Sequence, residues 1–132
     1  MLLRSASPKD TIALLSLINE AFNRTTNDSF TEQYFDPSYR HTLVAVEADT
    51  IVATATLHYV QKIDRIMGQI EDVVVSTDYR GRGLGRLLVE ELLKKAIEKG
   101  CYKVILNTAD KNVPFYKKMG FLKEEFQMVK RY

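Results

Sequence analysis

The densest chemistry in the chain is a glycine turn, Tyr79-Arg80-Gly81-Arg82-Gly83-Leu84-Gly85-Arg86. Three glycines in five positions allow positive φ and a close approach of backbone to ligand. An apolar helical pattern starts at Leu84, so the turn's amides lie beside the unpaired amides of a helix N-terminus. Helix ends of this kind favour an anion through both their amides and their dipole. Arg80, Arg82 and Arg86 add positive charge, and a phosphate or pyrophosphate is the natural occupant. A turn that merely reversed the chain would need a single glycine. Spacing excludes two common phosphate motifs. No Gly-Lys-Ser/Thr follows, as a P-loop needs, and the third glycine comes one residue too early for the dinucleotide fingerprint.

A second oddity lies just upstream, in Ile70-Glu71-Asp72-Val73-Val74-Val75. Adjacent strand residues point to opposite faces, so one of two consecutive carboxylates should face a core. An unpaired buried carboxylate is costly. Either a bulge redirects one of them or both line a polar cavity, the alternative being an exposed edge strand. Tyr116 is one of seven tyrosines, and by position alone it is a core aromatic on a short helix. Cys101 has no neighbouring histidine and reads as a small buried hydrophobe. His41 and His58 read as ordinary strand residues.

The elements that must position these groups follow from periodicity. Leu2 to Ser5 is a short strand. Ser7 and Pro8 open a helix whose apolar stripe is Ile12, Leu15, Ile18 and Phe22, widened by Leu14 and Ala21. Asn23 to Ser29 is a polar loop, and Phe30 to Phe35 a short helix stopped near Pro37. Thr42 to Glu47 and Thr50 to Val60 form a hairpin over Ala48-Asp49, and Gly68 to Ser76 is a strand buried on both faces. Leu84 to Lys99 is the strongest helix, with Leu84, Leu87, Leu88, Leu92, Leu93, Ala96 and Ile97 on one stripe. Glu90 with Lys94 and Glu91 with Lys95 are favourably ordered, and Gly100 ends the helix. Lys103 to Leu106 is a strand, Val113 to Met119 a short helix closed by Gly120, and Phe121 to Val129 a final strand. The crossover from Ile70 to Leu106 makes its two strands parallel. The expected fold is α/β, a central mixed twisted sheet flanked by helices on both faces, in one domain spanning residues 1–132.

Arg80-Gly81-Arg82-Gly83-Leu84-Gly85 resembles the Gln/Arg-x-x-Gly-x-Gly/Ala turn of the GNAT N-acetyltransferases. Asn112-Val113-Pro114-Phe115-Tyr116-Lys117-Lys118-Met119-Gly120-Phe121 resembles that family's Asn-x-x-Phe-Tyr-x-x-x-Gly-Phe segment, and the element order agrees with the GNAT acyltransferase fold. Gly68 to Val75, Gly100 to Leu106, and Lys111 to Val113 with Phe115-Tyr116 are similar to the branch of the family that acetylates glucosamine 6-phosphate. That closer likeness spans Gly68 to Phe121, and the first 60 residues match in outline only.

The resemblance implies acetyl transfer from acetyl-CoA to the amine of glucosamine 6-phosphate, a step towards UDP-N-acetylglucosamine. It implies cosubstrate contacts from Val73, Val74, Val75, Arg80, Gly81, Arg82, Gly83, Leu84, Gly85, Arg86, Asn112 and Tyr116. A backbone amide near Val73 or Val74 would serve the oxyanion, and the Tyr116 hydroxyl would meet the CoA sulfur. Glu71 and Asp72 would lie at the sugar pocket, one of them acting as general base through water. Asn107 stands where the family carries an acidic residue, and its backbone carbonyl can still accept from the amine. Tyr102 and Lys103 complete the sugar-phosphate contacts. The last strand would cross to a second subunit of a homodimer, so that Arg131 reaches the partner's sugar phosphate in trans. Acetylation of a peptide amine or polyamine, and a non-catalytic acyl-CoA-binding module, are the alternatives.

Composition bounds these readings. The chain has 132 residues, 45% hydrophobic and 27% charged, the profile of a folded globular domain. Nineteen Lys and Arg against seventeen Asp and Glu argue against a dedicated nucleic-acid binder. One cysteine forms no intrachain disulfide or cysteine-built zinc site, and two distant histidines suggest no metal cage. No long apolar run suggests a membrane span or a secretion signal, and the expected location is the cytoplasm.

Overall fold

Residues between 40 and 75 are rich in Val, Ile, Thr and Ala, and they build the centre of a sheet. The computed structural model describes residues 1–27 and 30–132. Of the polar loop expected at 23–29, Asp28 and Ser29 lie outside the described residues. The elements are β1 (Leu2–Ser5), α1 (Thr11–Phe22), β2 (Arg40–Glu47), β3 (Thr50–Gln61), β4 (Ile66–Val75), α2 (Leu84–Lys99), β5 (Val104–Ile105) and α3 (Val113–Lys117). The short helix expected near residue 30 is a 3-10 turn, Glu32–Phe35. The sheet runs β1-β2-β3-β4-β5, with β4 and β5 parallel and every other pair antiparallel. The hairpin turn holds Ala48 and Asp49 at φ 48° and 64°, the left-handed pair that a two-residue connection needs.

Alternation divides the sheet into two unlike faces. Leu43, Ala45, Ala53, Ala55, Leu57 and Ile70 pack under α2 against Leu84, Leu88, Val89, Leu92 and Ala96. Leu57, Ile70, Leu88 and Leu92 are fully buried, each contributing about 1.5–3 kcal/mol of hydrophobic stabilisation. Thr42, Thr54 and Thr56 point the other way, towards α1 and the 3-10 turn. Helices therefore cover both faces, as expected. Gly68 is where β3, β4 and β5 approach most closely. A Cβ there would meet Leu57 Cδ1 at 2.8 Å and Val104 Cγ2 at 3.2 Å.

Several expectations need correction. In α1 the buried residues are Leu14 and Leu17, whereas Ile12 is 84% exposed and Phe22 partly so. A 3-10 turn, Pro8–Asp10, precedes α1, and the helix starts at Thr11. In α2 Val89 is buried, but Leu87 and Ile97 face solvent. The ion pairs on that helix are Arg86 with Glu90 and Lys94 with Glu91. The strand Val104–Ile105 is shorter than expected, and Phe121 to Val129 is not a strand. Residues 121–129 pair with no strand of the sheet, and Glu125 breaks the run at φ 58°. Leu122, Phe126 and Met128 are left exposed, Phe126 at 96%. Among the described residues no helix is long and apolar enough to cross a membrane.

The start of α1 is tied to β1 by an ion pair. Arg4 donates Nη1 and Nη2 to the two carboxylate oxygens of Asp10 at 2.8 and 2.9 Å. Asp10 also accepts the Ser7 backbone N–H at 2.9 Å, one half of a capping box. Asp10 is 5% exposed, and the Arg4 hydrogen bonds with the Ser7 amide hold its carboxyl below the ordinary value of 3.8. A depressed folded value means this contribution is complete above pH 3.8 and is lost as pH falls through the folded value. Asp10→Asn should cost about 1–2 kcal/mol at neutral pH, because it replaces a bidentate charge-assisted pair by a neutral acceptor while Arg4 keeps contact with water. Urea unfolding should show that gap between wild type and variant closing in acid.

Candidate active site

The register of β4 breaks at the carboxylate pair. Thr56 pairs with Glu71 and Thr54 pairs with Val74, so one β3 residue faces two of β4. Asp72 takes up the extra length at φ 55°, in the left-handed region. This bulge resolves the adjacent-carboxylate problem. Glu71 stays on the threonine face, where its Oε1 accepts from Gln69 Nε2 at 2.8 Å. Asp72 lines a cavity on that same face. Both carboxylates therefore serve one side of the sheet. The bulge also takes Asp72 and Val73 out of the ladder, leaving backbone groups there without a β3 partner.

The cavity measures about 190 Å³ and is walled by Leu14, Leu15 and Ile18 of α1, with Phe30 and Tyr34 closing one side. Its floor is Thr42, Thr54 and Thr56. The Thr42 and Thr56 hydroxyls are 2.8 Å apart, and Tyr34 Oη lies 3.3 Å from Thr56 Oγ1. Asp72 stands at the rim. Asp72 is exposed as a residue, but partial desolvation of its carboxyl, reinforced by the like charge of Glu71, pushes its proton affinity up, while His58 and Arg24 oppose the shift. A carboxylate tuned upward in this way is a better proton acceptor than an ordinary one.

On the opposite side of the bulge, Val73 and Val75 meet the glycine turn. An added Cβ at Gly85 would contact Phe115, Val75 and Val73 at 3.8–3.9 Å, ordinary packing distances. Gly81 and Gly83 have φ of 77° and 78°, and added Cβ atoms there would meet nothing within 4 Å. Conformation, not crowding within the chain, demands glycine at these two positions. Their outer surface stays open for a ligand. Gly83 is the N-cap of α2, no side chain caps that end, and its first turn holds no acid. Arg80 Nε donates to the Val75 carbonyl at 3.2 Å and Arg82 Nη2 to the Asp78 carbonyl at 3.3 Å, so both cations are held beside the turn. Arg86 is paired with Glu90 at 2.8 Å. Free amides, two left-handed glycines and flanking cations suit a pyrophosphate.

Tyr116 is half-buried on α3, edge-on between Phe115 and Phe121 with centroids 4.9 and 5.8 Å away. Burial raises its phenol pKa, so it holds its proton at neutral pH. Its ring lines a second opening of about 570 Å³ between β5, α3 and the C-terminal stretch, as do Lys103 and Asn107. Asn107 is exposed, Asn112 precedes α3 at its N-cap, and Arg131 lies on the exposed C-terminal stretch away from any strand. Tyr102 and Lys103 sit in a cationic cluster that motif reading missed. The Arg65 guanidinium lies 3.6 Å from the Tyr102 ring centroid, with Lys62 and Lys103 Nζ at 5.8 and 5.6 Å. Hydrogen bonding to Lys62 and the neighbouring positive charges lower the Tyr102 pKa. Lys62 and Arg65 occupy a turn with no motif, so no sequence signal marked them. The cavity threonines carried a weak signal, the alternation Ala53-Thr54-Ala55-Thr56.

Comparison with known proteins bears on the family and the fold. The family model described as "Acetyltransferase (GNAT) family" matches residues 10–121. The glucosamine 6-phosphate N-acetyltransferase of Trypanosoma brucei brucei is 48% identical over 81 residues, 59% of this chain and 55% of that one. The protein of the same name from Candida albicans is 35% identical over 131 residues, covering 93% of this chain and 85% of its own. The crystal structure of glucosamine-6-phosphate N-acetyltransferase from Arabidopsis thaliana superposes with a TM-score of 0.83. It is 29% identical and covers 99% of this chain and 97% of that one.

Gly83→Val places a branched side chain in the open space over the turn at a φ it tolerates poorly. Acetyl-CoA affinity should fall by at least about 10-fold, the equivalent of about 1.4 kcal/mol, with the fold retained. Isothermal titration with acetyl-CoA, alongside circular dichroism, measures both.

Proposed function

This chain belongs to the acetyltransferase (GNAT) family, and from that we propose that it transfers the acetyl group of acetyl-CoA to the amine of glucosamine 6-phosphate. The products are N-acetylglucosamine 6-phosphate and CoA, and the reading makes this a cytoplasmic step towards UDP-N-acetylglucosamine. The carrying observation is the β4 bulge, which sets Glu71 and Asp72 on one face of the sheet beside a cavity floored by hydroxyls. The names of the relatives supply the sugar.

Residues 80–86 would hold the pyrophosphate of acetyl-CoA, which supplies the activated acyl group when bound. The chain's own groups do the rest. Asp72, with its raised proton affinity, takes the proton that the ammonium must lose before attack, directly or through water. Glu71 and the Asn107 carbonyl orient the amine. The backbone amide at Val73, which the bulge leaves outside the ladder, donates to the oxygen that gains charge in the transition state. Tyr116 keeps its proton and donates it where the thiolate departs.

The phosphate reading draws on the cluster of Lys62, Arg65 and Lys103 around Tyr102. A homodimer completes it. β5 is an edge strand, and residues 121–132 carry exposed Leu122, Phe126, Met128 and Val129 without a strand partner. Exchange of this stretch between two copies would satisfy both and would bring Arg131 to the partner's site.

Thiol release from acetyl-CoA, measured with glucosamine 6-phosphate, glucosamine, a peptide amine and a polyamine, should be fastest with the first. Preference for another amine replaces the sugar reading, and silence with all four makes the chain a binding module. Tyr116→Phe should lower turnover by about 10²-fold or more while acetyl-CoA affinity stays level.

Arg131→Ala should weaken glucosamine 6-phosphate far more than glucosamine. Mixed dimers of Arg131→Ala and Tyr116→Phe chains should regain activity, since one of their two sites carries neither lesion. Proven mixed dimers without rescue remove the trans arrangement.

A further inference from the structure

One polar network lies beside the acceptor cavity, and of it only the charge of the imidazole on Asp72 bears on the chemistry above. Register aligns Arg40, His58 and Gln69 across β2, β3 and β4, next to the row Thr42, Thr56 and Glu71. Arg40 Nε donates to His58 Nδ1 at 3.2 Å. A guanidinium has no lone pair to offer, so Nδ1 must be the bare nitrogen and the imidazole proton sits on Nε2. The same guanidinium donates Nη1 to the Tyr34 carbonyl at 2.9 Å and lies over the Tyr34 ring at 4.8 Å. Tyr34 in turn walls the cavity and shares its hydroxyl with Thr42 and Thr56. Arg40 therefore joins two things that no backbone ladder joins: the 3-10 turn carrying Tyr34, and the imidazole that stands nearest the acidic pair along the strands.

We propose that Arg40 and His58 form a latch that positions the Tyr34 wall of the acceptor cavity, closed while His58 is neutral and released when it takes a proton. The proposal rests on the acetyltransferase reading only for the identity of the acceptor. Protonation of Nδ1 removes the acceptor of the Arg40 hydrogen bond and sets two cations against each other. The guanidinium must then withdraw from His58, and the Tyr34 carbonyl that its Nη1 holds moves with it. Four groups bear on the imidazole: Arg40 from β2, Asp72 and Glu71 from β4, and Gln69 alongside. Burial and Arg40 hold His58 below its ordinary 6.5, against the pull of Asp72 and Glu71. The latch is thus shut at neutral pH and opens only in acid. Arg40 and His58 are positioning residues, since neither lines the cavity.

Imidazole nitrogen NMR and steady-state kinetics test the latch together. In wild type the His58 signals should report a proton on Nε2 and a hydrogen-bonded, bare Nδ1 at neutral pH. Arg40→Gln should raise the His58 titration midpoint and lose that fixed tautomer. Arg40→Gln and His58→Leu should each raise KM for glucosamine 6-phosphate by about 10-fold, the loss expected for one charged hydrogen bond. Turnover and KM for acetyl-CoA should stay within about twofold. His58→Gln, whose side-chain carbonyl can accept from Arg40, should restore the neutral-pH KM and remove the part of its acid rise that follows the His58 titration read by NMR. A proton on Nδ1 in wild type overturns the latch. So does an unchanged acceptor KM in both variants, or an acetyl-CoA KM that climbs in step. Should wild type fail to acetylate glucosamine 6-phosphate, the substrate reading falls and the NMR arm still decides the latch.

Discussion

The extra residue in β4 is the constraint on which the site depends. A regular strand would send Glu71 and Asp72 to opposite faces, one of them into the apolar layer beneath α2. The left-handed φ of Asp72 absorbs one residue of length and keeps both carboxylates on the threonine side. Val73 and Val75 then remain beneath the glycine turn, within ordinary packing distance of Gly85. One local distortion therefore supplies an acidic pair on one face of the sheet, backbone groups outside the ladder, and an apolar seat for the N-terminal end of α2.

The division of the sheet into unlike faces follows from residue alternation and carries through to chemistry. The α2 face is closed by leucines and alanines, which makes α2 a rigid mount for residues 81–86. The α1 face is incompletely filled because Thr42, Thr54 and Thr56 replace apolar residues there. The Thr42 and Thr56 hydroxyls satisfy each other and Tyr34, and Thr54 Oγ1 donates to the Leu43 carbonyl at 2.9 Å, so the gap is polar, and among the described residues no buried side-chain polar atom lacks a partner. A floor of this kind tolerates a hydroxylated ligand in a way the opposite face could not.

The C-terminal stretch presents the opposite situation. Its β-forming residues and apolar side chains stand in solvent, although β5 offers an unpaired edge nearby. An edge and an unpartnered strand are each unfavourable alone, since both leave backbone groups and apolar surface in water. The proposed exchange between two copies relieves both with one set of contacts, and it brings Arg131 towards the cations that surround Tyr102.

Local signals in the sequence were enough to determine the glycine turn, the long helix with its Gly100 stop, the Ala48-Asp49 hairpin and the parallel β4–β5 crossover. Each depends on spacing within a few residues, or on chain connectivity, and so is written in order along the chain. The family motifs, too, are contiguous. What only the tertiary structure decided depends on register between distant segments. Whether Ile70-Glu71-Asp72 formed a bulge or an exposed edge turned on how β3 pairs with β4. The burial of Leu14 and Leu17 in α1 turned on how the helix docks on the sheet, and Ile12 shows that helical spacing alone does not choose the buried face. Lys62, Arg65 and Tyr102 are separated by about forty residues, and Tyr34, Arg40, His58 and Asp72 come from four separate segments. Such groups meet only after the strands are aligned. The fate of residues 121–129 has the same cause: strand propensity is local, whereas a strand exists only when another backbone lies beside it to take its hydrogen bonds.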